Sequence, residues 1–351
     1  MKQLAESIVE IIKDYHNYLG FQFTPDYVLA WVNQFDEGDR NFVLEEFLHL
    51  LKQGIYISET KARQLLFESI IILANKYGYN SPIEFLRNTN ILRLQGKGKS
   101  QSVLLDILNE ELLDKLGVDM SICGTKSTKY AVYIDDLIAT GGTAFRELRN
   151  WLLQNDSGGT QNLKNINDGK VDVLVISFCC HNANNVLWRL KLDLKSDAVT
   201  KKIKIYQHYE VQNHLNFLNQ KYNFAYPTAN QPASVSVYYK ALPASAEKHS
   251  DKTFRNPKLP AEETFFSSPG NRIRFENILL SKGVELLNQA KELKPNHRPL
   301  GAGFPSHRTL GTGTLFFTWR NISNTCPIVF WWDSPAWKPL FPLKGRGLQI
   351  Q

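Results

Sequence analysis

The sequence has little cysteine: Cys123, Cys179, Cys180 and Cys326 are the only four in 351 residues. Four thiols are too few to staple a scaffold of this size, so reduced, cytosolic thiols are expected. Neither C-x-x-C nor H-x-x-x-H spacing occurs, which removes the common zinc sites. Long apolar runs are missing too. The greasiest stretch, residues 65–74, is interrupted by Glu68, so no membrane span is expected. Met1-Lys2-Gln3-Leu4-Ala5-Glu6 opens no long apolar segment, and no secretory leader is expected. Dense Lys/Arg blocks are absent as well. The 41 basic and 34 acidic side chains give a net +7 dispersed along the chain. That charge permits an anionic partner without marking a nucleic-acid tail.

What remains suits a soluble globular protein, since 43% hydrophobic and 21% charged residues exclude general disorder. Residues 1–90 read as all-helical. Leu4, Ile8, Ile11 and Ile12 recur at helical spacing. Thr24-Pro25-Asp26 and Ser81-Pro82 are helix starts, each with a capping hydroxyl and proline at the first helical position. From residue 91 the texture changes. Strand-length apolar runs at 91–94, 130–134, 171–178 and 203–206 alternate with helical patterns at 100–116, 142–153 and 182–192. Such alternation predicts βαβ units and a parallel sheet buried on both faces.

The expected fold class is therefore α/β: residues 91–224 form a parallel-sheet core behind the helical region 1–90. Residues 225–270, rich in Pro, Ala, Ser and Asn, are expected to be an extended excursion. Residues 271–351 are expected to supply a C-terminal helix and an aromatic strand-and-loop cap that completes the core.

One segment carries chemistry. Val132-Tyr133-Ile134 leads into Asp135-Asp136, then Leu137-Ile138-Ala139, then Thr140-Gly141-Gly142-Thr143 at the start of a helix. Glycines let the backbone turn and approach a ligand. Free amides at a loop and helix start cradle an anion, and Thr140 and Thr143 add hydroxyl donors. Asp135 and Asp136 fall at the carboxyl end of a parallel strand, where open α/β sheets bind ligands. Carboxylates there suit the vicinal hydroxyls of a sugar, or steer Mg²⁺ through the ligand. The unit as a whole suits ribose 5-phosphate. A structural turn capped by an aspartate is the plainer reading, but it leaves the paired acids unused. Gly141→Val is expected to block the phosphate and spare the fold.

This segment resembles the ribose-phosphate signature of type I phosphoribosyltransferases, with every defining position filled. The resemblance implies that Ala139, Thr140, Gly141, Gly142 and Thr143 bind the 5-phosphate. It also implies that Asp135 and Asp136 act at the ribose, with Mg²⁺ carried by phosphoribosyl pyrophosphate. Gly96-Lys97-Gly98-Lys99-Ser100 resembles, in placement and chemistry, the family's pyrophosphate loop. It is not a Walker A motif, because Arg93 occupies the position of the first glycine. An exposed basic turn is the alternative.

The tail is distinctive: Arg320-Asn321, Asn324, Trp331-Trp332 and Trp337. With Arg40 and the 96–100 loop it is similar to a phosphoribosyltransferase-like family of bacterial conflict, or antiphage, gene neighbourhoods. That resemblance implies an effector with partner proteins of a defence system. Arg320, Asn321, Asn324 and Trp331 are then candidates for a base or cap site, against the simpler reading of an aromatic core with turn asparagines. His181, His208, His214, Asp36 and Asp39 have ordinary structural readings: strand and helix ends, and surface.

Three functions follow. The first is an enzyme acting on a ribose-5-phosphate donor with Mg²⁺. The second is a sensor that binds phosphorylated ribose or a nucleotide without turnover. The third is a nucleic-acid-associated effector, which the dispersed charge supports least.

Overall fold

The computed structural model describes residues 1–213, 221–242, 253–290, 292–303 and 308–343. His214 lies outside them. The chain packs as two units: residues 1–59 together with 211–351, and residues 60–210.

In chain order the first segment holds α1 (Lys2–Ile12), α2 (Pro25–Val32), α3 (Glu37–Leu50) and β1 (Tyr56–Ile57). There follow α4 (Glu59–Lys76), α5 (Pro82–Arg87), β2 (Thr89–Ile91), α6 (Ser100–Leu116), β3 (Tyr130–Ile138), α7 (Gly142–Leu153) and α8 (Asn162–Asn167). Next come β4 (Asp172–His181), α9 (Val186–Leu194), α10 (Ala198–Lys202) and β5 (Ile203–Val211). The last segment holds α11 (Ala233–Ala241), α12 (Pro269–Gln289) and β6 (Phe317–Thr318).

The 60–210 unit is an α/β layer structure. Its four strands lie in the order β2-β3-β4-β5. β2 pairs parallel with β3, and β3 parallel with β4, from Tyr130↔Asp172 through Ile138↔Cys180. Helices make each crossover, as parallel neighbours require. β3 and β4 are buried along most of their length because both faces are covered. One face packs Ala131, Tyr133, Val173 and Val175 against Leu148, Leu152, Val186 and Leu190 of α7 and α9.

Local chemistry sets several boundaries. Thr24 Oγ1 accepts from the Tyr27 amide at 3.1 Å and Ser81 Oγ from the Glu84 amide at 3.1 Å, each with proline at the first helical position. β2 lies two residues earlier than the apolar run suggests. The Gln101 side chain ends it, because its Oε1 accepts from the amides of Leu94 at 2.7 Å and Gln95 at 2.9 Å. α9 begins at Val186, not at 182, because the Asn184 amide turns back to the His181 carbonyl at 3.1 Å.

The other unit is helical and aromatic, with one short parallel pair, Tyr56↔Phe317 and Ile57↔Thr318. Within 225–270 the described residues include α11 and a buried ionic network. Arg255 Nη2 meets Glu276 Oε2 at 2.9 Å, Arg272 Nη1 meets Glu276 Oε1 at 3.2 Å, and Arg272 also pairs with Glu263. Glu276 further accepts from the Tyr226 amide at 3.0 Å, and Arg255 Nε donates to the Tyr226 carbonyl at 2.8 Å. The network thus anchors a loop-rich segment to α12, with each buried charge held by an opposite one. Among the described residues no helix is long and apolar enough to cross a membrane.

Candidate functional site

β2 and β3 are parallel neighbours, so the loops that follow them leave from the same, carboxyl, edge of the sheet. That edge holds residues 96–100 after β2, the Asp-Asp and Thr-Gly-Gly-Thr segment on and after β3, and His181 at the end of β4.

The acids do not terminate their strand. The ladder continues through Leu137↔Cys179 and Ile138↔Cys180, because both of those pairs are apolar and pack. Asp135 and Asp136 therefore sit within the last turn of pleat, on opposite faces. Their environments differ. Asp135 is buried, and both its oxygens are used: Oδ1 accepts from the Asp136 amide at 3.0 Å and Oδ2 from the Tyr133 hydroxyl at 3.1 Å. Burial first, and the neighbouring Asp136 second, hold its carboxyl well above the usual range. Asp136 is half-buried. Its Oδ1 accepts from the Leu137 amide at 2.9 Å, and a side-chain hydrogen bond links it to the raised Asp135 carboxyl. Asp136 is the more exposed acid of the pair and the one an outside hydroxyl can reach.

The Thr140–Thr143 bend opens α7. Gly141 is its N-cap, with φ of 70°, and no side chain caps the helix. The amides of Thr140, Gly141, Gly142 and Thr143 donate to no protein acceptor among the described residues. Thr143 is exposed, and Ala139, Thr140 and Gly142 are half-exposed. An anion fits such a set, since the helix dipole adds to the amides.

Gly141 has a second role. A Cβ placed on it would lie 2.1 Å from Val186 Cγ2, at the start of α9. The expectation that Gly141→Val spares the fold is therefore corrected: that side chain drives into α9. At Gly142 a Cβ would meet only Thr140 Oγ1, at 3.9 Å, so this glycine faces open space.

In the other loop, Gly96, Lys97, Gly98 and Lys99 are exposed and Ser100 begins α6. Gly98 has φ of 82°, and the Lys99 amide closes the turn on the Gly96 carbonyl at 3.2 Å. Lys97 and Lys99 form no ion pair among the described residues, which leaves two ammonium groups for an anionic ligand. The root of this loop reaches the acids, because Gln95 Nε2 donates to the Tyr133 hydroxyl at 3.2 Å. Gln95, Gln101 and Tyr133 lie in the two segments the sequence singles out but carried no site role there. Tyr133 was nonetheless findable, standing two residues before Asp135 on the same strand face.

His181 is buried, and burial pulls its imidazole down to about 3, so it stays neutral at physiological pH. His208 lies on β5 with its Nε2 2.9 Å from Ser69 Oγ. Ser69 also donates to the Leu65 carbonyl at 2.7 Å, so its proton is committed and the pair is no nucleophile–base dyad.

The tail candidates belong to the unit formed by 1–59 and 211–351. Trp331 is buried and its indole N–H donates to the Cys326 carbonyl at 2.7 Å. Trp337 likewise donates to the Val329 carbonyl at 3.1 Å. Asn321 shapes a turn, its Oδ1 accepting from the Ile322 amide at 3.0 Å. Arg320 is buried and its carbonyl accepts from Tyr18 at 3.2 Å, while Asn324 is exposed. These contacts are those of core and turn residues. Arg40 Nε donates to the Phe35 carbonyl at 3.0 Å, and Asp39 pairs with Arg274 at 2.7 Å. Among the described residues no three His, Cys, Asp or Glu side chains gather to hold a metal.

Neither curated proteins nor solved structures gave a match. A family model, PRTase-CE, matches residues 28–343, which include both loops, the acid pair and the aromatic tail. The chain belongs to this phosphoribosyltransferase-like family of conflict effectors.

Proposed function

We propose that this protein binds a ribose 5-phosphate ligand, either phosphoribosyl pyrophosphate or a nucleotide, and acts at its anomeric carbon. The observation that supports this most is the set of amides at residues 140–143, which have no protein acceptor among the described residues and follow the half-buried Asp136. In this reading the 5-phosphate sits on those amides and on the hydroxyls of Thr140 and Thr143. Asp136 accepts from the ribose hydroxyls, and Asp135 fixes the strand end from behind. Lys97 and Lys99 hold the pyrophosphate.

Breaking the anomeric C–O bond leaves positive charge on the ribose ring and negative charge on the leaving group. Sugar C1 chemistry of this kind passes through an oxocarbenium-like state. The two ammonium groups support the leaving anion and Asp136 supports the ring. No side-chain nucleophile is required. Mg²⁺ fits the donor set in one way: as no protein cluster among the described residues gathers to hold it, ligand oxygens would carry it, with Asp136, and behind it Asp135, acting through the ribose hydroxyls. When bound it would neutralise pyrophosphate charge. The family suggests the setting: an effector of an antiphage system, working with partner proteins.

A second reading has its own observation. Asp135 has both oxygens engaged by the protein, leaving one acid of the pair for the ligand. A nucleotide sensor needs no more than that. Phosphoribosyl pyrophosphate consumption with Mg²⁺ separates the two, comparing wild type with Asp136→Asn. Turnover lost in the variant supports the enzyme; tight binding with no turnover in wild type supports the sensor.

A further inference from the structure

The root of the basic loop and the acid pair are joined by a run of four hydrogen bonds, two between side chains and two given by backbone amides. The Asp136 amide donates to Asp135 Oδ1 at 3.0 Å. The Tyr133 hydroxyl donates its single proton to Asp135 Oδ2 at 3.1 Å and accepts from Gln95 Nε2 at 3.2 Å. Gln95 in turn gives its own amide to Gln101 Oε1 at 2.9 Å, in the first turn of α6. Tyr133 and Gln101 are fully buried and Asp135 nearly so. Turning Tyr133 or Asp135 away would leave a buried polar group unpaired, which costs about 1–3 kcal/mol, whereas Gln101 Nε2 already lacks a partner among the described residues.

We infer that Tyr133 and Gln95 are positioning residues that couple the two ligand loops, so that an anion ordering one loop also orders the other. This rests on the reading of residues 140–143 as a ribose 5-phosphate site. A ligand drawing on Asp136 fixes the peptide whose amide holds Asp135. Asp135 then fixes Tyr133, and Tyr133 fixes Gln95 at the root of residues 96–100. Linkage makes the effect reciprocal: pyrophosphate on the basic loop favours the ordered bend after β3. The consequence for the substrate is selection of a ligand that carries both anions on one ribose over either fragment.

Amide hydrogen exchange with ribose 5-phosphate alone tests this, because that probe carries no pyrophosphate. In wild type it should slow exchange at residues 140–143 and also at 95–100, the latter by about fivefold, the low end of ordinary coupling. In Tyr133→Phe the slowing at 140–143 should persist and that at 95–100 should vanish. Gln95→Leu, which cuts the chain at its half-buried end, should behave the same way and guards against misfolding in the tyrosine variant. Slowing at 95–100 that survives in both variants overturns the inference, since the ligand then reaches that loop directly. Slowing at 140–143 only, in wild type, overturns it as well. No slowing at 140–143 overturns the site reading itself, and the inference with it.

Discussion

The buried ionic and aromatic network of one unit and the sheet edge of the other treat polar groups in opposite ways. In the unit of residues 1–59 and 211–351, the buried charges Arg255, Arg272, Glu263 and Glu276 meet one another, and the indoles of Trp31, Trp331 and Trp337 each donate to a carbonyl. At the carboxyl edge of the 60–210 sheet, four successive amides and two lysines have no protein partner among the described residues. Satisfied polar groups hold a fold in one arrangement. Unsatisfied ones grouped at a helix start and near solvent are what a ligand completes. The aromatic tail drew attention for its composition, but the indoles of Trp331 and Trp337 are spent on protein carbonyls, while the sheet edge keeps amides that have no protein acceptor among the described residues.

That contrast is broken most forcefully by removing a buried charge. Arg272→Met should strand Glu263, while Glu276 keeps Arg255, and cost about 3–5 kcal/mol, read as a lower urea midpoint with an unchanged slope. A variant of wild-type stability would mean the network is not structural. Asp136→Asn should lower ribose 5-phosphate affinity by about two orders of magnitude in calorimetry, as expected when a charge-assisted hydrogen bond is lost. It should leave the melting temperature near wild type.

Gly141→Ala should cost about 2 kcal/mol, because it combines a left-handed φ with a clash against Val186. Pairing it with Val186→Ala should restore part of that loss, and strict additivity in the double variant would refute the contact. Lys97→Ala with Lys99→Ala should weaken pyrophosphate binding several-fold and ribose 5-phosphate binding little.

The smallest effect concerns pH. The Asp135 carboxyl is raised in the folded protein, so its stabilising contribution is fully present below the unfolded carboxylate range. It is lost as pH rises through the folded value. Asp135→Asn should therefore melt higher relative to wild type at pH 8 than at pH 4. His181 has the opposite sign: its folded value is lowered to about 3, so its contribution is present above the unfolded imidazole range and falls away as pH drops below it.

Local signals were readable in the sequence wherever one residue decides a boundary. Thr24 and Ser81 announce their helices by capping, and Ser100 and Gly142 begin α6 and α7 as their spacing suggests. The Asp-Asp and Thr-Gly-Gly-Thr segment was readable for the same reason: its chemistry lies within nine residues. What depends on partners far along the chain was not. Val186, 45 residues on, fills the space that makes Gly141 obligatory. The pairing of β1 with β6 spans 261 residues, from Tyr56 to Phe317, and leaves no periodic trace. The unequal environments of two adjacent aspartates are a tertiary fact as well, set by Tyr133 on one face and by solvent on the other.

Titration of the isotope-labelled protein with ribose 5-phosphate, followed by amide chemical shifts, tests the central claim most directly. The largest shifts should fall on Thr140, Gly141, Gly142 and Thr143 and saturate at a single affinity that Asp136→Asn weakens. Shifts that are absent there, or that gather around Arg320 and Trp331 instead, would contradict the account.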